Sequence, residues 1–142
     1  MQEQNFKNHT RMVPMFHYVT FLLLLAVFIG SIVNICHSSC ENFYSASLIC
    51  VLTIACIFIA WFARVFALKA QDRAIRAEEN FRHFIATGKL LPSQLSMSQI
   101  IALRFASNEE WQGLMEKTIS ENLSSKDIKM LIKNWKADFN RA

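Results

Sequence analysis

The sequence predicts an all-α membrane protein: a two-helix transmembrane hairpin whose second helix extends into the cytoplasm, followed by three short helices. The first observation is composition, since 53% of the 142 residues are hydrophobic and only 18% are charged, against about 25% charged in an average soluble domain. The second is a pair of long stretches that carry no charged side chain. Neither stretch alternates apolar and polar residues, so we expect helices rather than barrel strands.

The two uncharged stretches are residues 16–35 and 44–63, and each contains no Asp, Glu, Lys or Arg. About 20 residues of helix cover the ~30 Å hydrocarbon core of a bilayer. We therefore predict an N-terminal tail at 1–15, a first transmembrane helix at 16–35 and a second at 44–63. The extracytoplasmic loop between them, residues 36–43, is so short that the two helices must be antiparallel neighbours.

The distribution of cations predicts the orientation of this hairpin. Lys and Arg close to the ends of transmembrane helices favour the cytoplasmic side. The loop at 36–43 has no Lys or Arg, whereas both outer flanks have several. Both termini should therefore face the cytoplasm. The flanking cations are Lys7 and Arg11 before the first span and Arg64, Lys69, Arg73 and Arg76 after the second.

The second helix is predicted to continue past the membrane as a cytoplasmic helix over residues 64–87. This stretch is rich in strong helix formers and contains no Gly or Pro before Gly88. Glu78 and Arg82 are four residues apart with the acid first, the favourable order for an ion pair on a helix. Gly88 is expected to end the helix, and residues 88–95 to form a linker.

A seam of small and apolar residues follows one side of the second helix at alternating spacings of three and four. Its members are Ala46, Ile49, Thr53, Cys56, Ala60, Ala63, Ala67, Ala70, Ala74, Ala77, Phe81 and Phe84. An uncharged heptad seam indicates long contact with another helix. In the first span, Ala26 and Gly30 are spaced for close contact with the membrane half of the seam. The half from Ala67 to Phe84 needs another cover: the C-terminal segment, a second copy or a different protein.

Residues 96–142 are predicted to form three short helices, because three sequences of the capping-box type occur there. These begin at Ser96, Ser107 and Ser124, with Gln99, Glu110 and Asp127 as the third residue of each helix. In the last helix, an apolar face is formed by Ile128, Leu131, Ile132, Trp135 and Phe139. A segment this short buries little area alone. We therefore expect it to fold against residues 67–84 of the second helix, with oligomerisation as the competing solution.

Beside that apolar face, four lysines are spaced three, four and three residues apart: Lys126, Lys129, Lys133 and Lys136. On one helix they would form a basic ridge suited to an anionic surface, either lipid headgroups or nucleic acid phosphates. A solvated helix face is the alternative interpretation. Nucleic acid is the less favoured ligand, because Trp135 and Phe139 fit the core and leave no aromatic side chains for stacking on bases.

Several strings of the sequence resemble a known family. They are NFKNHTR before the first span, ALKAQDRAIRAEENFRHF after the second, IIALRFAS followed by Glu109 and Glu110, and IKNWKADFNR at the end. Together they resemble a family of small bacterial membrane proteins known only as a domain of unknown function. The resemblance implies a bacterial inner-membrane protein with two spans and a cytoplasmic tail, and it implies no reaction.

Residue types that carry chemistry are sparse. Cys36 and Cys40 with the nearby His37 fall short of a four-ligand zinc site, and their spacing is not that of a C-x-x-C redox motif. A disulfide between these cysteines is expected only if the outer compartment is oxidising. His83 lies one turn after Glu79, which predicts a solvated pair. Because phosphate-loop and hydrolase motifs are missing, we predict no enzymatic activity, no metal and no cofactor.

The sequence thus favours a non-catalytic integral inner-membrane scaffold or accessory subunit that docks through its long second helix and cytoplasmic helices. The expected partners are the lipid bilayer and either a second copy, in a homo-oligomer, or a larger membrane complex. The alternative hypothesis is a membrane-tethered protein that binds an anionic partner through its basic C-terminal helix.

Overall fold

The computed structural model describes residues 5–6 and 12–138. Within these residues the chain forms five helices and no strand, so the predicted all-α fold is confirmed. Lys7, Arg11 and Phe139, on which parts of the predictions depended, lie outside the described residues. The structure divides into two compact units: one is Met12–Ala67, and the other contains residues 5–6 and the described residues from Leu68 onward. Each unit is described by itself below.

The first unit consists of helix α1 and the beginning of helix α2. α1 opens with a π-helical turn, Met15–Thr20, and continues as an α-helix over Phe21–His37. α2 spans Phe43–Thr87, 45 residues without interruption, where the sequence predicted a helix from 44 to 87. Met15–His37 and Phe43–Thr87 are both long and apolar enough to cross a membrane, as judged by length and composition.

Within this unit, α1 and α2 are antiparallel, because Phe16–Leu24 and Ile57–Arg64 line the same cavity. Ser31 of α1 and Ala46 and Thr53 of α2 are buried. The Ser31 hydroxyl donates to the Phe28 carbonyl at 2.8 Å, so burying this polar side chain leaves no donor unsatisfied.

The structure corrects the predicted contact face of α1. Ala26 and Gly30 are exposed, and nothing lies within 4 Å of a Cβ placed on Gly30. The covered face instead contains Leu24, Phe28 and Ser31, which lie on the opposite side of the helix. The small residues that are buried in this unit are therefore Ser31 of α1 and Ala46 and Thr53 of α2, and not the predicted Ala26 and Gly30.

The second unit contains the rest of α2 and three short helices: α3 (Met97–Leu103), α4 (Asn108–Glu121) and α5 (Ser125–Leu131). Their core includes the fully buried Ile100, Leu103, Phe105 and Ile128. Ile75 of α2 belongs to the same core. The short helices thus obtain the additional apolar surface that a segment of this size needs by packing on α2.

Two of the three predicted helix starts have the predicted caps. Ser96 and Gln99 form a capping box on α3, and the Ser124 hydroxyl accepts from the Asp127 backbone N–H on α5. The Ser107 hydroxyl makes no such bond to α4. Its expected partner Glu110 accepts instead from the backbone N–H groups of Lys133 and Asn134, at 3.1 and 3.0 Å.

The last helix is shorter than predicted. α5 ends at Leu131, and Ile132 is already extended. The chain then runs beside residues 105–107: the Ser107 N–H donates to the Asn134 carbonyl, and the Lys136 N–H donates to the Phe105 carbonyl at 2.7 Å. Trp135 therefore packs on the Phe105 ring, with centroids 5.2 Å apart, from an extended segment and not from a helix face.

Candidate functional site

The seam along the second half of α2 is an apolar surface that the second unit leaves exposed. Ala70, Ala74 and Ala77 are exposed, and Phe81 and Phe84 are 65% and 50% exposed. Ile85, next to them, is 69% exposed. Aromatic side chains this accessible in a row indicate a surface that another molecule covers.

The short helices pack against residues 67–84 of α2, as predicted, but on the side away from the seam. Ile75, Glu79 and His83 are only 4–6% exposed. These residues follow one another at intervals of four, and their face is roughly 180° round the helix from the seam. The C-terminal helices therefore pack on the face of α2 that lies opposite the seam.

Two exposed charges flank the seam. With Ala74 and Phe81 at heptad position a and Ala70 and Ala77 at position d, Arg73 occupies position g and Glu78 the following position e. Side chains at e and g positions form the ion pairs between helices that set the partner and the orientation of coiled coils. The two sides of the seam therefore carry opposite charges, Arg73 on one side and Glu78 on the other.

Behind the seam, a buried polar cluster joins α2 to α4. Arg82 donates to the Glu79 carboxylate at 3.3 Å and to the Ala106 carbonyl at 2.9 Å, and its guanidinium lies 5.2 Å from the centre of the Trp111 ring. The sequence predicted Glu78 as the partner of Arg82, but Glu79 takes this role. A cleft of about 550 Å³ opens over the cluster, and Lys136 forms part of its wall.

Burial raises the pKa of the Glu79 carboxyl group above its usual value of 4.5. The charges of Arg82 and, more weakly, Lys136 lower this pKa but do not cancel the desolvation. The Trp111 indole N–H is close enough to favour the charged carboxylate, yet it makes no hydrogen bond of ordinary geometry with any of the residues that the structure describes. Glu79 is thus held among donors that only partly compensate its loss of water.

His83 does not form the solvated pair with Glu79 that the sequence predicted. The imidazole is buried beside Trp111, with ring centroids 5.4 Å apart, and its Nε2 lies 3.3 Å from the Thr87 hydroxyl. Its Nδ1 is buried without a partner among the described residues. Because α4 packs on this face, Glu79 and His83 lie in the core and not at the surface.

The four lysines of the predicted basic ridge do not share a helix face. Lys126 and Lys129 lie on α5, but Lys133 and Lys136 follow its end. The Lys129 ammonium lies 5.8 Å from the centre of the Phe105 ring, and Lys136 lines the cleft beside Glu79. The single ridge was wrong, because backbone bonds to Glu110 and Phe105 end the helix early; anion binding by these lysines stays a prediction.

Cys36 and Cys40 are free, exposed thiols, and Cys50 and Cys56 are half-buried and also free. Among the residues that the structure describes, no group of three or more His, Cys, Asp or Glu side chains is arranged to hold a metal ion.

A family model described as "Family of unknown function (DUF6526)" matches residues 1–142. The chain belongs to this family. The resemblance to a family of unknown function, expected from the sequence strings, is thereby confirmed. No curated protein and no solved structure matches the chain. Membership in DUF6526 assigns no reaction or ligand, so function has to be argued from the surfaces described above.

Sequence reasoning missed the Glu79, Arg82 and Trp111 cluster. The one available signal was the spacing of Ile75, Glu79 and His83, which places these residues on one face. A helix face that carries one apolar and two ionisable residues is typical of a solvent-exposed surface. The sequence pattern therefore did not indicate that this face is buried.

Proposed function

We propose that this DUF6526 protein is a non-catalytic scaffold or accessory subunit anchored in the bacterial inner membrane, with both termini cytoplasmic. Helix α1 and the first part of α2 form the anchor, and the unit from Leu68 onward is the docking part. One observation carries the proposal: the seam from Ala70 to Phe84 is exposed, while the short helices occupy the opposite face of α2. A surface left open in this way is available for a partner helix.

The partner that the seam fits is a second copy of the same chain. In a parallel pair of helices, position g of one helix faces position e of the next heptad in the other, five residues later. Arg73 and Glu78 have this spacing and opposite charge. A two-fold pair would therefore contain two such ion pairs, one on each side of the seam.

Anchoring in a membrane requires the same parallel arrangement. Two copies inserted with the same orientation project their α2 helices in the same direction from the bilayer. Alanines at most central positions allow the helix axes to approach closely, and Phe81 and Phe84 would bury their rings at the far end. Membrane orientation and charge pattern thus favour the same dimer.

Cysteine crosslinking in membranes tests this function. The four native cysteines are replaced by Ser, and Ala70→Cys or Ala74→Cys is introduced singly. We expect a disulfide-linked dimer of each variant after mild oxidation, because equivalent a or d positions of a parallel pair are close neighbours.

Ala86→Cys is the matched control, since Ala86 is exposed on the same helix but lies away from the seam. It should crosslink far less. Equal crosslinking at all three positions, or no dimer at Ala70 and Ala74 together with a monomer-sized particle in mild detergent, contradicts the proposal.

A further inference from the structure

We infer that the first unit carries a site for one anionic phospholipid, in a cavity between the start of α1 and residues 57–64 of α2. The cavity has a volume of about 340 Å³, within the range of small-molecule sites in proteins. This inference rests on the membrane insertion proposed above. The cavity includes Ala60 of the membrane half of the seam, but it is separate from the exposed half, Ala70 to Phe84, that the proposed dimer uses.

Arg64 supplies the charge that the site needs. It is half-buried at the wall of the cavity and forms no ion pair or hydrogen bond with the described residues. Glu41 is the one acidic residue between Met12 and Ala67, and it lies in the loop at the other end of the hairpin. A partly desolvated cation without a counter-ion is costly, so an external anion would stabilise it.

His17 adds a second polar group to the cavity that Arg64 lines. Its Nδ1 lies 3.1 Å from the Val13 N–H and 2.9 Å from the Val13 carbonyl. When Nδ1 accepts from the Val13 N–H, the ring proton is on Nε2, which is then free to donate to a bound anion. The third polar side chain at the cavity, Thr20, already donates its hydroxyl proton to the Met15 carbonyl.

The rest of the cavity wall is apolar and extends away from Arg64 and His17. Phe21, Leu24 and Ile57 line the cavity on the side of the apolar stretches, and Trp61 lies at its rim, 67% exposed. Trp is enriched at the level of lipid headgroups. A charged end beside an apolar wall matches a lipid phosphate with its acyl chain, and basic pockets between transmembrane helices bind such headgroups.

The chemistry also selects among lipids. Phosphatidylglycerol presents a phosphodiester without a compensating cation, whereas phosphatidylcholine carries a trimethylammonium group that would face Arg64 with no carboxylate nearby to accept it. The site should therefore prefer anionic over zwitterionic phospholipids.

Native mass spectrometry of the full-length protein, released from detergent with equal amounts of phosphatidylglycerol and phosphatidylcholine, tests the inference. We expect the wild type to retain mainly one phosphatidylglycerol. Arg64→Gln should reduce this preference about fivefold, the effect of one cation close to an anionic headgroup, and Arg64→Lys should preserve most of it. Arg76→Gln is the control, because Arg76 is an exposed cation of the same helix outside the cavity.

Equal retention of the two lipids by the wild type overturns the inference even if Arg64→Gln fails to fold. Displacement of phosphatidylglycerol by millimolar inorganic phosphate also overturns it, since a soluble phosphate would then be the ligand. Extraction of the wild type from membranes by alkaline carbonate is a separate result, which contradicts the membrane anchor itself. Loss of seam crosslinking with intact lipid preference would overturn only the proposed dimer.

Discussion

Glu79 links the acid–base chemistry of one residue to the stability of the second unit. Because burial raises its pKa in the folded protein above the usual 4.5, the folded state binds this proton more tightly than the unfolded chain. The contribution of Glu79 to stability is therefore most favourable below pH 4.5 and is lost as the pH rises through the raised pKa.

Replacing Glu79 by Gln should remove this pH dependence, since Gln keeps an oxygen for Arg82 but does not ionise. The stability of Glu79→Gln relative to the wild type is expected to increase as the pH rises above 4.5 and through the raised pKa of Glu79. Thermal unfolding followed by Trp fluorescence in detergent measures it. Glu116→Gln, at an exposed position of α4, should not show this trend; a constant difference between wild type and Glu79→Gln would contradict the assignment.

Glu110 has a structural role that is testable by a single substitution. Its carboxylate accepts two backbone N–H groups from Lys133 and Asn134 and so holds the last segment beside α4. Glu110→Ala should destabilise the unit by about 1–2 kcal/mol, the cost of losing charged hydrogen bonds at a partly exposed site. Hydrogen exchange should speed up in residues 132–136. Glu109→Ala, at an exposed neighbouring position, should leave these amides protected, and similar exchange in both variants would refute the role.

At the scale of helices, the end of α2 depends on one backbone conformation. Gly88 has a positive φ of 71°, and its N–H donates to the Phe84 carbonyl at 2.8 Å. Gly88→Ala should destabilise the protein by about 1 kcal/mol, because a Cβ is disfavoured in the left-handed region. Gly113→Ala in the exposed middle of α4 should have the opposite sign and stabilise by about 0.5–1 kcal/mol. Chemical unfolding of both variants measures the change in the free energy of unfolding, and a change of the same sign in both variants would contradict this prediction.

The helices were predictable where local sequence decides the structure and less so where distant backbone groups compete. The extent of α2 followed from its helix formers and from Gly88, and the starts of α3 and α5 followed from their capping serines. The end of α5 had no local signal, since neither Gly nor Pro follows Leu131. There Glu110 and the Phe105 carbonyl bind backbone N–H groups of residues 133–136 that a longer helix would have used itself.

The face of α2 that packs in the core was also hidden from the sequence. The seam is continuous and uncharged, so the sequence favours the C-terminal helices as its cover. The structure places Ile75, Glu79 and His83 there, because Arg82 and Trp111 provide partners for polar groups in the core. A pattern of apolar residues predicts that a face will be covered, but it does not say by which part of which molecule.

For the whole molecule, the proposed parallel dimer makes a prediction that depends on orientation. Arg73→Glu would place like charges opposite each other at two symmetric sites, as would Glu78→Arg. We expect either change to weaken association about tenfold at low salt, because exposed pairs contribute about 0.2–1 kcal/mol each and their reversal adds repulsion. The yield of the Ala74→Cys crosslink is the measurement.

The double variant Arg73→Glu/Glu78→Arg restores both ion pairs with their signs exchanged, so its crosslinking should return close to the level of the unmodified seam. High salt should reduce the differences among all variants, since these charges are exposed. A double variant as weak as either single variant would show that Arg73 and Glu78 do not meet across the dimer. It would favour an antiparallel contact or a different protein on the seam, because only a parallel pair of identical chains brings position g of one copy to position e of the other.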